Sequence, residues 1–208
     1  MDIIAKLATS LNRRDEVPNQ ELAAEIVKRG EWDDVNDLIA NLLNLNKGIR
    51  YDCIKVLYEI GYLEPGLIAE FLSIFLDLIG GKDNRLQWGS MTAIACIVRV
   101  RPDDVCESLP KIIRVANRGS VITRDQCVKI LITLCSIGKH ADTAFPLLLK
   151  LMAKCPTNQL PMYAENAIPV VTADGRDEFI QVLTSRLGEV ESLSKQKRIE
   201  KVIAQLSK

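Results

Sequence analysis

A single unit is written about four times between Ile49 and Leu187. Ile49-Arg50-Tyr51 opens a helical stretch that ends near Gly61. Leu86-Gln87-Trp88 opens the next 37 residues later, Thr123-Arg124-Asp125 another 37 after that, and Gln159-Leu160-Pro161 follows after 36. A step of this size, carrying two apolar stripes at helical spacing, is the mark of stacked helix pairs in which each pair covers the flank of the next.

The stripes set the expected elements. Ile3, Ile4, Leu7 and Leu11 fall on one face of a first helix, and Leu22, Ala23, Ile26 and Val27 on a second that ends near Gly30. Asp33 or Asp34 caps the next helix, with Val35, Leu38, Ile39, Leu42 and Leu43 inward. Pro65 and Pro102 stand where a first-turn proline belongs, since the N–H that proline lacks is not needed there. The last stretch, Ser192 to Leu206, has Ile199, Val202, Ile203 and Leu206 on one side and mostly charge on the other, as an end cap requires. The expected organisation is one domain over 1–208: an atypical pair at 1–30, repeats at 33–63, 65–101, 102–138 and 139–173, and a capping pair at 174–208. No stretch has the alternation and hairpin punctuation of strands.

Hydrophobic residues make up 48% of the chain but aromatics only 5%, so the core is expected to be aliphatic. The formal charge of zero argues against a dedicated nucleic-acid coat or polybasic anchor. It hides an asymmetry: residues 1–104 carry 12 basic and 17 acidic side chains, and residues 105–208 carry 15 and 10. Six cysteines, none in a Cys-x-x-Cys spacing, lie mostly among apolar residues. Together with an amphipathic opening in place of a signal peptide, they predict reduced core thiols of an intracellular, cytoplasmic protein. No uncharged apolar run approaches the roughly 18 residues of a membrane span.

On these residues the chain resembles the HEAT-repeat family within the armadillo-like superhelices. Family-type positions include the proline inside a first helix, as Leu109-Pro110 and Phe145-Pro146, and the apolar–basic start of a second helix, as Ile49-Arg50. Asp83 precedes one second helix, and Asn46, Ser120 and Asn158 are approximate stand-ins elsewhere. The likeness covers about residues 33–190. It implies an all-α, right-handed α-α superhelix of about six antiparallel helix pairs. It also implies a scaffold that binds protein along the concave side lined by the second helices.

Superposing the units gives columns. One on the second helices reads Tyr51, Trp88, Asp125, Pro161, and one a turn on reads Lys55, Thr92, Lys129, Glu165. Tyr51, Lys55, Tyr58, Trp88, Asp125 and Lys129 are therefore the candidate partner-binding residues, with the tyrosines and Trp88 as anchors. The alternative is that the rings fold back to fill gaps between units. A first-helix column contributes Arg114, Lys150 and Arg186, with Arg118 and Lys154 beside them, as a candidate anion-binding ridge for nucleic acid or phosphate. The alternative there is plain solubility.

Enzyme signatures are missing. The single histidine, His140, is expected at a helix start in a surface or capping role and cannot supply a His-rich metal site. No phosphate loop, dinucleotide fingerprint, nucleophile elbow or zinc motif occurs. HEAT-like glycosylases pair an aromatic with a carboxylate one turn on, whereas here Tyr51 is followed by Lys55 and Trp88 by Thr92. No catalytic residue, metal or cofactor is expected. The expected function is a non-enzymatic adaptor with a protein or peptide partner, nucleic acid being the alternative.

Overall fold

The computed structural model describes residues 2–30 and 32–208. Among these residues there are twelve α-helices, four short 3-10 segments and no strand. They gather into two compact units, residues 1–127 and 128–208. The border falls inside a helix, so the division does not follow the repeat boundaries.

In the first unit the chain runs through α1 (Val17–Arg29), α2 (Trp32–Ala40), α3 (Lys47–Leu63), α4 (Leu72–Leu78), α5 (Asn84–Ile97), α6 (Pro102–Glu107) and α7 (Leu109–Arg118). The second helices α1, α3 and α5 pack side by side in that order. The next helix, α8 (Val121–Cys135), crosses the border. Expected second-helix starts at 49, 86 and 123 each fall two residues inside an observed helix. Local chemistry fixes these starts. The Asn46 side chain accepts from the Gly48 N–H at 2.9 Å. Asp83 Oδ1 accepts from Arg85 and Leu86 at 3.0 and 3.3 Å. Ser120 Oγ accepts from Thr123 at 3.3 Å. Each satisfies backbone donors that a helix N-terminus leaves open.

α3 is the centre of this unit. Ile49, Cys53, Ile54, Val56, Leu57, Ile60 and Gly61 are all buried, so the helix is covered on most of its circumference. It approaches α5 very closely. A Cβ added at Gly89 would lie 2.6 Å from Ile54 Cγ1, inside any real carbon–carbon contact. A Cβ at Gly61 would meet Ile68 Cδ1 at 2.7 Å and Cys96 Cβ at 3.0 Å.

Three expectations change. The first helix is only a 3-10 turn, Ile4–Lys6, because Leu7 is already extended at ψ 149. Ile3 and Leu7 are buried as expected, but Leu11 is half exposed. This N-terminal stretch is instead tied down by a polar network. Asn19 accepts from Ala8 N–H at 3.0 Å and donates to Asp52 at 2.8 Å, and Asp52 accepts from Thr9 N–H at 2.7 Å. Second, the two in-helix prolines behave differently. The first helix of its unit breaks at Ser108, so Pro110 stands in the opening turn of α7, whereas Pro146 lies inside an unbroken helix. Third, Asp34 is not a cap but a buried partner of Arg29, and Leu43, expected inward, is exposed in a 3-10 turn after α2.

The second unit holds α9 (Gly138–Met152), α10 (Leu160–Ala167), α11 (Arg176–Leu187) and α12 (Leu193–Leu206). α10 begins where the period places it. α12 packs on α10 and α11 through Ile199 and Val202, and Arg198 reaches Glu165 at 2.5 Å. Tyr163 and Phe179 are the largest closed side chains here.

The space around two helical glycines, Gly89 in α5 and Gly138 in α9, predicts opposite outcomes for them. Gly89→Ala is expected to lose about 1–2 kcal/mol despite alanine's better helix propensity, because overpacking outweighs it. Gly138→Ala, with nothing within 4 Å of the new Cβ, is expected to gain up to about 1 kcal/mol. Urea unfolding of both variants checks this.

Candidate interaction face

The expected concave column is brought together on α3 and α5, but in layers rather than as a row of open anchors. Lys55 and Tyr58 are buried, each 6% exposed. Trp88 is half-buried and Tyr62, one turn beyond Tyr58, is 49% exposed. Tyr58 sits between them, with its ring centroid 6.0 Å from each. Tyr51 is half-buried and its hydroxyl donates to Asp83 Oδ2 at 3.2 Å. Burial, and then the Asp83 carboxylate, raise the Tyr51 hydroxyl above its ordinary pKa of 10.0, so it stays a donor.

The charges explain how a lysine can be closed off here. Lys55 Nζ lies 2.8 Å from Glu16 and 2.6 Å from Glu59, and 4.9 Å over the Tyr58 ring. Burial pulls its pKa down, but the hydrogen bonds to Glu16, Glu59 and Tyr58 outweigh burial and hold it above the ordinary lysine value. Glu16 also reaches Arg85 Nη2 at 2.7 Å, and the Arg85 guanidinium lies 4.6 Å over Trp88. One carboxylate from the start of α1 thus joins cations of α3 and α5, each of which covers an aromatic ring. The hydrogen bond from Lys55 is the main cause that holds Glu16 below its ordinary 4.5. Lys55 and Tyr58 are therefore support beneath the face, and the expectation of both as solvent-facing anchors is corrected. Sequence reasoning missed Glu16, Arg85 and Tyr62. Only the 32–37-residue spacing between elements that meet in the fold links Tyr51 to Asp83 or Tyr51 to Trp88, and Glu16 lies outside the repeat altogether.

Asp125 is half-buried and Lys129 exposed on α8, and both are engaged within the chain. His140 is buried rather than at the surface, in the first turn of α9. Four of the six thiols, Cys53, Cys127, Cys135 and Cys155, are buried as expected of core thiols, and burial raises Cys53 and Cys127 to about 12 and Cys135 to about 11; Cys96 and Cys106 are only half-buried, so the expectation does not hold for them. Among the described residues no group of three or more His, Cys, Asp or Glu is placed to hold a metal ion, and no helix is long and apolar enough to cross a membrane.

No family model matches the sequence, and no curated protein matches it. Solved structures do. An engineered protein, Northeast Structural Genomics Consortium target OR329, is 15% identical and superposes over 100% of this chain and 97% of its own at a TM-score of 0.57. A designed armadillo repeat protein, YIII(Dq)4CqI, is 13% identical over 98% of both chains at a TM-score of 0.58. The fold is an armadillo/HEAT-like helical repeat.

Within this repeat the expected basic column is incomplete. Arg114 and Arg118 are exposed on α7 in the first unit, and Lys150 and Lys154 are exposed at the end of α9 in the second. Arg186 is not at the surface. It is 8% exposed, donates to the Met152 and Cys155 carbonyls at 2.8 and 2.9 Å, and meets Glu189 at 2.8 Å. A helix ends with carbonyls that lack backbone donors, and this guanidinium binds the Met152 carbonyl at the end of α9 and the Cys155 carbonyl of the turn that follows.

Two outcomes follow from these pairings. Glu16 has a depressed folded pKa, so its contribution is present above about pH 4.5 and is lost as the pH falls through the lower folded value. Lys55 has a raised one, so its share is full below 10.5 and is lost only at higher pH. Glu16→Gln is thus expected to be less stable than wild type at pH 7, with the difference narrowing as the pH falls below 4.5, as measured by urea unfolding. Arg186→Ala, which leaves the Cys155 carbonyl without its side-chain donor and the Met152 carbonyl with only the Cys155 thiol at 3.4 Å, is expected to cost about 1–3 kcal/mol while changing anion binding little. Thermal melts and a salt titration with duplex DNA check it.

Proposed function

We propose that the chain is a non-enzymatic interaction module that holds a protein segment against the α3–α5 face of the first unit. The observation that carries this reading is the prebuilt Tyr62–Tyr58–Trp88–Arg85 stack, closed beneath and open at both ends. Trp, Tyr and Arg are the side chains that dominate binding energy at interfaces. Here Tyr58 is fixed by burial and Arg85 by Glu16, so little side-chain freedom is left to lose when a partner arrives. Tyr62 and Trp88 are the anchors, Arg85 offers flanking donors, Tyr51 is held at the edge by Asp83, and Lys55 and Tyr58 hold the layer below.

The face also suits its partner electrostatically. Glu16 and Glu59 neutralise Lys55, and Glu16 shares its second oxygen with Arg85, so no isolated charge is closed off on binding. The immobilised wild-type chain is expected to retain protein partners from a nuclease-treated lysate. A Tyr62→Ala/Trp88→Ala variant is expected to recover them at less than about a tenth, the usual loss for truncated aromatic anchors. Equal recovery by the folded variant removes this face. Capture that vanishes on nuclease treatment replaces a protein partner with nucleic acid.

A further inference from the structure

A pocket of about 380 Å³ opens in the second unit between the front half of α9 and the segment entering α11. Phe145, Pro146 and Cys135 form its apolar part, and Asp142, Asp174 and Glu178 bring three carboxylates. The ring is held in place from two sides. Phe145 stacks on Phe179 at 6.4 Å, and it lies so close to Gly175 that a Cβ there would come within 2.5 Å of its Cε1. Cys135 lines the pocket from a position more than nine-tenths buried.

The charge in this pocket is unbalanced. No lysine or arginine lines it. The pockets described in the first unit, of about 260, 210 and 350 Å³, contain Arg101, Lys6 and the trio Arg13, Arg14 and Arg85 respectively. Asp142, Asp174 and Glu178 make no ion pair among the described residues, although the same unit pairs Glu165 and Glu189. Nor do the three converge as metal ligands must. A site that has an aromatic face, an apolar wall and carboxylates spread around its rim fits an organic cation on an apolar stem. The head meets the carboxylates and the ring, and the stem lies along the wall.

We propose that this pocket receives the side chain of a lysine or arginine from a partner protein. Its volume lies near the lower end of the roughly 300–1,000 Å³ of ligand pockets, which suits one long side chain whose backbone stays outside. The site uses none of the α3–α5 side chains, so either assignment can fail without the other.

The test uses the full chain and a fluorescein-labelled peptide of alternating glycine and arginine at physiological salt. Fluorescence anisotropy gives affinity, and backbone NMR gives location. Saturable binding with shifts at Phe145 and Gly175 is expected. Asp174→Asn/Glu178→Gln is expected to weaken it roughly tenfold or more, as loss of charge-assisted contacts does. Glu70→Gln/Glu107→Gln removes the same number of charges from another pocket and is expected to change affinity less than about twofold. All four side chains are exposed, and circular dichroism verifies that both variants are folded. No binding by wild type, or equal weakening by both variants, overturns the proposal. So does spermidine occupying the pocket where the peptide does not, which assigns it to a free amine.

Discussion

The close approach of α3 to α5 governs the first unit. With no side chain on Gly89, Ile54 seats directly on the α5 backbone, and Gly61 lets Cys96 of α5 and Ile68 seat directly on the α3 backbone. Helices packed this tightly leave no gap in which a polar side chain can reach water. A lysine on α3 near that contact must then bring its counter-ions with it. Glu59 comes from the next turn of the same helix and Glu16 from the start of α1. Burial of a paired, hydrogen-bonded charge is tolerable where burial of a lone one is not.

That chain of cause reaches the surface. Glu16 is held by Lys55 and in turn holds Arg85, which lies over Trp88 while Tyr58 backs the same ring. The outer aromatics are therefore positioned by a mostly aliphatic core, in which Phe75 and Tyr58 are the buried rings of the first unit. Tyr51, Tyr58, Tyr62 and Trp88 are thereby gathered on one face of α3 and α5.

The repeated elements were legible in the sequence because they rest on local chemistry. The starts near 49, 86, 123 and 159 follow from apolar periodicity and from Asn46, Asp83 and Ser120 as caps. The contrast between Pro110 and Pro146 was not legible, since the same dipeptide pattern stands in a new helix start once and inside a continuous helix once. Charge was read least well. Lys55 and Arg186 look like surface cations by helical spacing, and their burial depends on Glu16 and on the Met152 and Cys155 carbonyls, 39, 34 and 31 residues away in sequence. The aromatic face was half legible. Tyr51, Tyr58 and Trp88 were marked by their columns, but which rings would be closed depended on the depth of helix packing, which spacing does not encode.

The guanidinium that closes the end of α9 comes from α11, so backbone groups of one helix depend on a side chain of another. Fraying of α11 unroofs the last carbonyls of α9 at the same moment. Those two helices should therefore exchange their amide protons together, as one cooperative block. In a solenoid, where stability is passed between neighbours largely by apolar contact, such a polar rivet sets how far a local opening spreads.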